Sequence, residues 1–197
     1  MDFEAPSIKR HGSFREFNHI KSSFSFSHII KSKCPDFFLI QETKSYEQEM
    51  NQIIQETKNY EGTTIKATDA SGDICTMWNQ TTWELIFQHK EMHWIKIEFI
   101  NKTSGYQICH FNIYTPTHFR DKEHYRNYLA NFLGHENNKK YIICGDLNLI
   151  FNIDKKRAGN FQVDPFRDKL ENIMEAHNLT DILPKNGKYT WRKKAWP

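Results

Sequence analysis

Tyr141-Ile142-Ile143-Cys144-Gly145-Asp146-Leu147-Asn148 is an apolar, strand-type run that breaks at a glycine and ends on an Asp and an Asn two positions apart. On an extended backbone, residues two apart point to the same side, so both polar tips can serve one site at the strand's end. Two other runs end in the same manner. Phe37-Phe38-Leu39-Ile40 leads into Gln41-Glu42-Thr43, and Cys109-His110-Phe111 leads into Asn112-Ile113-Tyr114-Thr115-Pro116. A carboxylate, a phenol and an Asp/Asn pair gathered at strand ends suit a magnesium-dependent attack on a phosphodiester.

Around these runs the apolar periodicity predicts the other elements. Phe14, Phe17, Ile20, Phe26, Ile29 and Ile30 predict a helix over 14–30, and Cys34 to Ile40 a buried strand entered through Pro35. Ser45 and Gln48 form a capping box for a helix carrying Met50, Ile53 and Ile54. Short strands are expected at 63–67, 74–78, 83–88, 93–100 and 106–114, separated by turn chemistry at Asn79-Gln80 and at Asn101 to Gly105. Tyr125, Tyr128, Leu129, Phe132 and Leu133 make 121–133 an amphipathic helix. Asp164-Pro165 opens another, with Phe166, Leu170, Ile173 and Met174 on its apolar face. Helices separated by blocks of strands imply an α/β fold, two packed sheets with helices outside. No linker composition interrupts the chain, so 1–197 reads as a single domain.

The composition narrows the function classes. The chain has 197 residues, a net charge of +3 and 14% aromatic residues, enough for a packed interior and compatible with, though not demanding, nucleic-acid contact. Cys34, Cys75, Cys109 and Cys144 are widely spaced with no metal-binding pattern, which favours reduced core thiols and an intracellular protein. The first residues lack a signal-peptide core and no apolar run reaches membrane-spanning length, so no membrane partner is expected. No phosphate-cradling glycine loop or nucleophile elbow occurs. The pairs His89/His93 and His118/His124 lack carboxylate or cysteine company at ligand spacing. Lys155-Lys156-Arg157 and Arg192-Lys193-Lys194, beside Phe161, Trp191 and Trp196, could grip a DNA backbone or serve as solvated surface charge in equal measure.

Phosphodiester hydrolysis needs an activated water, charge stabilisation on the phosphoryl oxygens and help for the leaving oxygen. Magnesium keeps several waters, so one or two carboxylates suffice to hold it. Glu42 is the candidate ligand, Asp146 the group that orients and deprotonates water, and Asn148 and Tyr114 hydrogen-bond donors to phosphate; Asn112 supports the loop or the phosphate. Each has a plain structural reading: Glu42 as a solvated edge residue, Gly145 to Asn148 as a turn, Tyr114 as a half-buried aromatic.

The three motifs together resemble the successive signatures of the endonuclease/exonuclease/phosphatase superfamily, and in particular the apurinic-endonuclease-like domain of LINE-type (non-LTR) retrotransposons. Ser71-Gly72-Asp73-Ile74 through Trp78, Asn178-Leu179-Thr180-Asp181-Ile182 and Gly187-Lys188-Tyr189-Thr190-Trp191 resemble its spacers, so the likeness covers roughly 29–191. It implies a deoxyribonuclease-like two-sheet α/β sandwich that cuts DNA to leave a 3′-hydroxyl. Glu42 would be the magnesium ligand (manganese the alternative ion), Tyr114 a phosphate contact, Asp146 the water-activating acid and Asn148 its phosphate-binding neighbour. A nuclear location follows if the target is chromosomal.

The sequence also departs from that pattern. Residues 1–12 carry no Trp-Asn-x-Arg-Gly strand motif beyond His11-Gly12, the C-terminal Ser-Asp-His block is missing, and Asp73 replaces a glycine. The expectation is therefore an incomplete copy of the fold, truncated at both ends, with little or no turnover. Two rivals stand beside it: a non-catalytic nucleic-acid-binding remnant, and a phosphatase of the same fold.

Overall fold

The computed structural model describes residues 11–15, 30, 32–41, 47–66, 73–115, 123, 127, 131, 140–148 and 167–182. The elements run β1 (His11–Arg15), β2 (Phe37–Gln41), α1 (Glu47–Glu56), β3 (Tyr60–Ile65), β4 (Ile74–Asn79), β5 (Trp83–Glu91), β6 (Trp94–Asn101), β7 (Gln107–Tyr114), β8 (Tyr141–Asp146) and α2 (Arg167–Ala176). The chain divides into two compact units, Met1–Pro116 with Asn138–Leu147, and Thr117–Asn137 with Asn148–Pro197.

The first unit holds two four-stranded sheets, ordered β1-β2-β4-β3 and β5-β6-β7-β8. Its centre is set by β2, an unbroken apolar run buried on both faces. Phe37 and Leu39 join Ile74, Trp78, Trp83, Ile95, Ile97, Phe99 and Ile108 in the core between the sheets. Phe38 and Ile40 point the other way and pack with Met50, Tyr60, Cys75 and Met77 under α1. Each fully buried side chain of this size contributes roughly 1.5–3 kcal/mol. The result is a two-sheet α/β sandwich with helix cover, as the sequence implied.

Two polar clamps join the sheets. At the start of β2 the Trp83 indole N–H donates to Asp36 Oδ1 at 3.1 Å. At its end the Gln41 Nε2 amide donates to Asn112 Oδ1 at 2.6 Å. The turns use the expected residues: Asn101 Oδ1 accepts the Thr103 and Ser104 N–H groups, and Gly105 takes a positive φ of 71°.

Two expectations are corrected. Phe14 and Arg15 belong to β1, not to a helix, because His11–Arg15 pairs in parallel along the whole of β2. That ladder outweighs a helical spacing of aromatics. Residues 16–29 lie outside the described residues. The third strand begins at Tyr60, not Thr63, and so takes in Gly62. A Cβ there would meet Ile54 Cδ1 at 2.8 Å, so glycine allows close packing of α1 on the sheet.

In the second unit Glu123, Asn127 and Asn131 are helical, in line with the helix expected over 121–133. Lys169 Nζ of α2 hydrogen-bonds Asn127 Oδ1. Beyond α2 the Leu179 N–H returns to the Met174 carbonyl at 2.8 Å, with Asn178 left-handed at φ 50°. Asp164, Pro165 and both basic clusters lie outside the described residues. Among those described, no helix is long and apolar enough to cross a membrane.

None of the four cysteines is in a disulfide; Cys34 is exposed, Cys144 half-buried, and Cys75 and Cys109 buried. Burial pushes the Cys75 thiol up to about 12, against a smaller opposite pull from the Lys90 ammonium, and pushes Cys144 up to about 11. A thiol held protonated is a poor nucleophile. Alkylation of the native protein at mildly alkaline pH should therefore mark Cys34 first and Cys75 only after denaturation. Peptide mass spectrometry after timed iodoacetamide labelling reads the order, and early modification of Cys75 would show that α1 does not seal that core.

A candidate active site at the strand ends

The last residues of β2, β7 and β8 meet at one end of the inter-sheet space. In β7 and β8, which run parallel, Asn112 stands opposite Cys144 and Tyr114 opposite Asp146. The Thr115 N–H carries the ladder one step further by donating to the Asp146 carbonyl at 2.8 Å. Gln41, the last residue of β2, reaches across to Asn112, so the end of β2 is held beside the same corner. Glu42 is the next residue in the chain; its side chain lies outside the described residues.

Asn112 is fully buried and its amide is engaged on three sides. Its Oδ1 accepts from Gln41, while Nδ2 donates to the Cys75 carbonyl at 2.9 Å and to Thr76 Oγ1 at 3.0 Å. One side chain of the second sheet thus pins β2 and β4 of the first. With both amide hydrogens used internally, the direct phosphate contact expected of Asn112 gives way to support of the strand ends.

Tyr114 is 5% exposed and packs on the inter-sheet core, while its backbone N–H donates to the His93 carbonyl at 2.8 Å. Asp146 is 9% exposed, so its carboxylate sits at the rim of the core and not in open solvent. Gly145 makes that seat available. Its φ is +139°, and a Cβ there would fall 1.9 Å from the Ile113 carbonyl oxygen. Only glycine lets β8 approach β7 this closely. Two residues beyond Asp146, Asn148 takes a left-handed backbone at φ 45°, a conformation Asn tolerates well.

Sequence reasoning missed Gln41 and Thr76 as members of this arrangement. Both are 1% exposed, and the signal was a lone polar residue in or ending an apolar run (Phe-Phe-Leu-Ile-Gln, Ile-Cys-Thr-Met-Trp). Gln41 Oε1 is buried with no donor among the described residues. An unsatisfied buried acceptor next to Glu42 in the chain, with the Asp146 carboxylate ending β8 at the same corner, is oxygen chemistry suited to a hard, water-carrying ion such as magnesium. Among the described residues no group of three or more His, Cys, Asp or Glu is gathered, and Glu42 is not one of these residues.

Neither a known protein family nor a curated protein matches the sequence. Solved structures do match in shape. AP endonuclease LMAP from Leishmania major is similar with a TM-score of 0.62 at 14% identity, over 80% of this chain and 62% of that one. The endonuclease domain of TRAS1, a telomere-specific non-LTR retrotransposon, gives 0.60 at 12% identity, over 85% of this chain and 70% of that domain. Mannosyl-6-phosphatase Bt3783 from Bacteroides thetaiotaomicron gives 0.55 at 13% identity, over 71% and 65%. At these identities the likeness is one of fold, the sandwich of the endonuclease/exonuclease/phosphatase kind. This chain spans 62% of the length of the Leishmania protein.

Proposed function

We propose that the chain is a divalent-metal-dependent phosphodiesterase acting on DNA, an endonuclease of non-LTR retrotransposon descent. The observation that carries this reading is the register setting Tyr114 opposite Asp146, with the end of β2 latched to the same corner by Gln41 and Asn112. The fold shared with the TRAS1 endonuclease domain and the LINE-like spacers support the descent. Acting on chromosomal DNA would place it in the nucleus.

In this reading Asp146 orients a water and accepts its proton as the water oxygen attacks phosphorus. Tyr114 donates a hydrogen bond to a phosphoryl oxygen, and Asn148 binds another through its amide. The P–O3′ bond breaks, and the departing oxygen takes a proton to become a 3′-hydroxyl. Magnesium, when bound, would add positive charge where the phosphoryl oxygens gain negative charge; Glu42 would hold it, with manganese as the alternative ion. Asn112 acts through Gln41 and β4 as a positioning residue.

Nicking of supercoiled plasmid tests this directly. Whatever nicking the folded chain retains, slow by the expectation drawn from the sequence, should require magnesium, and Glu42→Ala and Asp146→Ala should each lower its rate by a factor on the order of 10² or more. A folded chain that never nicks, or nicks equally in both variants, overturns the proposal. A phosphatase with the same fold makes a second reading worth one further assay. Release of phosphate from a soluble monoester without nicking would favour it, and salt-sensitive DNA binding indifferent to magnesium would favour a binding remnant.

A further inference from the structure

The network around Asn112 fixes which way the Gln41 amide faces. The Cys75 carbonyl can only accept, so it takes an N–H of Asn112 at 2.9 Å, and Thr76 Oγ1 meets the same Nδ2 at 3.0 Å. Asn112 must then turn Oδ1 towards Gln41. Gln41 must answer with Nε2, because two amide oxygens 2.6 Å apart would repel each other. The oxygen of Gln41 is thereby turned away from the latch, buried and with no donor among the described residues. A buried acceptor left in that state carries its full desolvation penalty, and turning the amide over would only move the fault to Asn112.

What Oε1 lacks is a hydrogen-bond donor, and the neighbouring groups indicate its kind. Glu42 follows Gln41 in the chain, and Asp146 ends β8 at the same corner. Carboxylates of this number suit magnesium, which keeps several of its waters, and a water on a divalent ion donates more strongly than bulk water. We infer that Gln41 Oε1 accepts a hydrogen bond from a water of the bound magnesium, so that Gln41 is a positioning residue for the ion's hydration shell. The inference rests on the metal-dependent reading above. It gives the latch between the sheets a second use, since the bond that ties β2 to β7 also sets the amide that receives the water. Outer-shell contacts of this sort are worth about ten- to a hundredfold in metal affinity.

Calorimetric titration of the full chain with magnesium chloride, beside thermal unfolding without metal, tests this by sign. Gln41→Met removes the acceptor at similar length and should weaken magnesium binding by about tenfold or more. Gln41→Glu sets an oxygen against Asn112 Oδ1 and should lower the thermal midpoint. It also places negative charge where Oε1 stands, and so should bind magnesium at least as tightly as the parent. Thr76→Val loosens the same network without touching Gln41 and should keep the parent's affinity. Where Gln41→Met does not fold, the contrast between the other two variants decides. If Gln41 only braces the fold, all three variants lose affinity in step with stability. That result, or unchanged affinity in Gln41→Met, overturns the inference alone, provided Glu42→Ala abolishes binding. A parent chain that binds no magnesium overturns the metal-dependent reading as well.

Discussion

Gly145→Ala should destabilise the protein by about 3 kcal/mol or more, with the end of β8 lifting from β7. Two costs act together. A φ of +139° is a conformation that L side chains rarely adopt, and the added Cβ would lie 1.9 Å from the Ile113 carbonyl oxygen. That oxygen belongs to backbone in the middle of a ladder, so no rotamer change can relieve the overlap. Gly105→Ala is the matched control. Its φ is also positive, at 71°, but nothing lies within 4 Å of the new methyl, so only the left-handed strain of about 1 kcal/mol applies. Urea unfolding of both variants checks the pair. If Gly145→Ala costs no more than Gly105→Ala, β8 does not approach β7 closely and the Asp146 seat is not built as described.

Asn112→Leu should cost about 3–5 kcal/mol, although the two side chains have similar shape. The replacement leaves three buried groups facing an apolar surface: the Gln41 amide, the Cys75 carbonyl and the Thr76 hydroxyl. Removing one partner of a buried network is worse than removing both, because the survivor keeps its desolvation penalty. Adding Gln41→Leu to Asn112→Leu should therefore cost less than the two single changes summed, by about 1–2 kcal/mol. Denaturant titrations of the four members of this cycle measure the coupling; strict additivity would mean that the 2.6 Å contact does not tie the sheets. The same substitution should impair any nicking activity, since it frees the end of β2, which leads into Glu42.

Much of this architecture is legible in one dimension. β2 announces itself as an apolar run and β6 as an alternation of apolar residues with Lys96 and Glu98, and the polar residues that end β2, β7 and β8 mark the corner where chemistry could occur. What escaped is non-local. β1 has a strand conformation because β2 offers it a ladder, and no spacing within 11–15 reveals that. Gly62 falls outside the strand expected at 63–67, and only the structure shows Ile54 of α1 filling the space of its missing side chain. The Gln41–Asn112 bond joins residues 71 positions apart, and periodicity carries no information about which inward-facing amides will meet across two sheets. Gly145 reads as a break in the strand, whereas the β7–β8 ladder continues through it to Asp146, and its necessity lies in the neighbouring backbone.

The pairing pattern also bears on the order in which the unit assembles. β3 with β4, and β5 with β6 and β7, are antiparallel neighbours consecutive along the chain, and β5 turns into β6 through Met92 and His93 alone. Such local ladders close quickly. β8 joins β7 in parallel, and that requires the long connection between Tyr114 and Tyr141 to be spanned first. The carboxylate of Asp146 thus rides on a strand whose docking is entropically expensive and late. The meander can form while the proposed site is still open, so a slow refolding phase sensitive to substitutions in β8 and silent to those in β5 and β6 should coincide with closure of that corner.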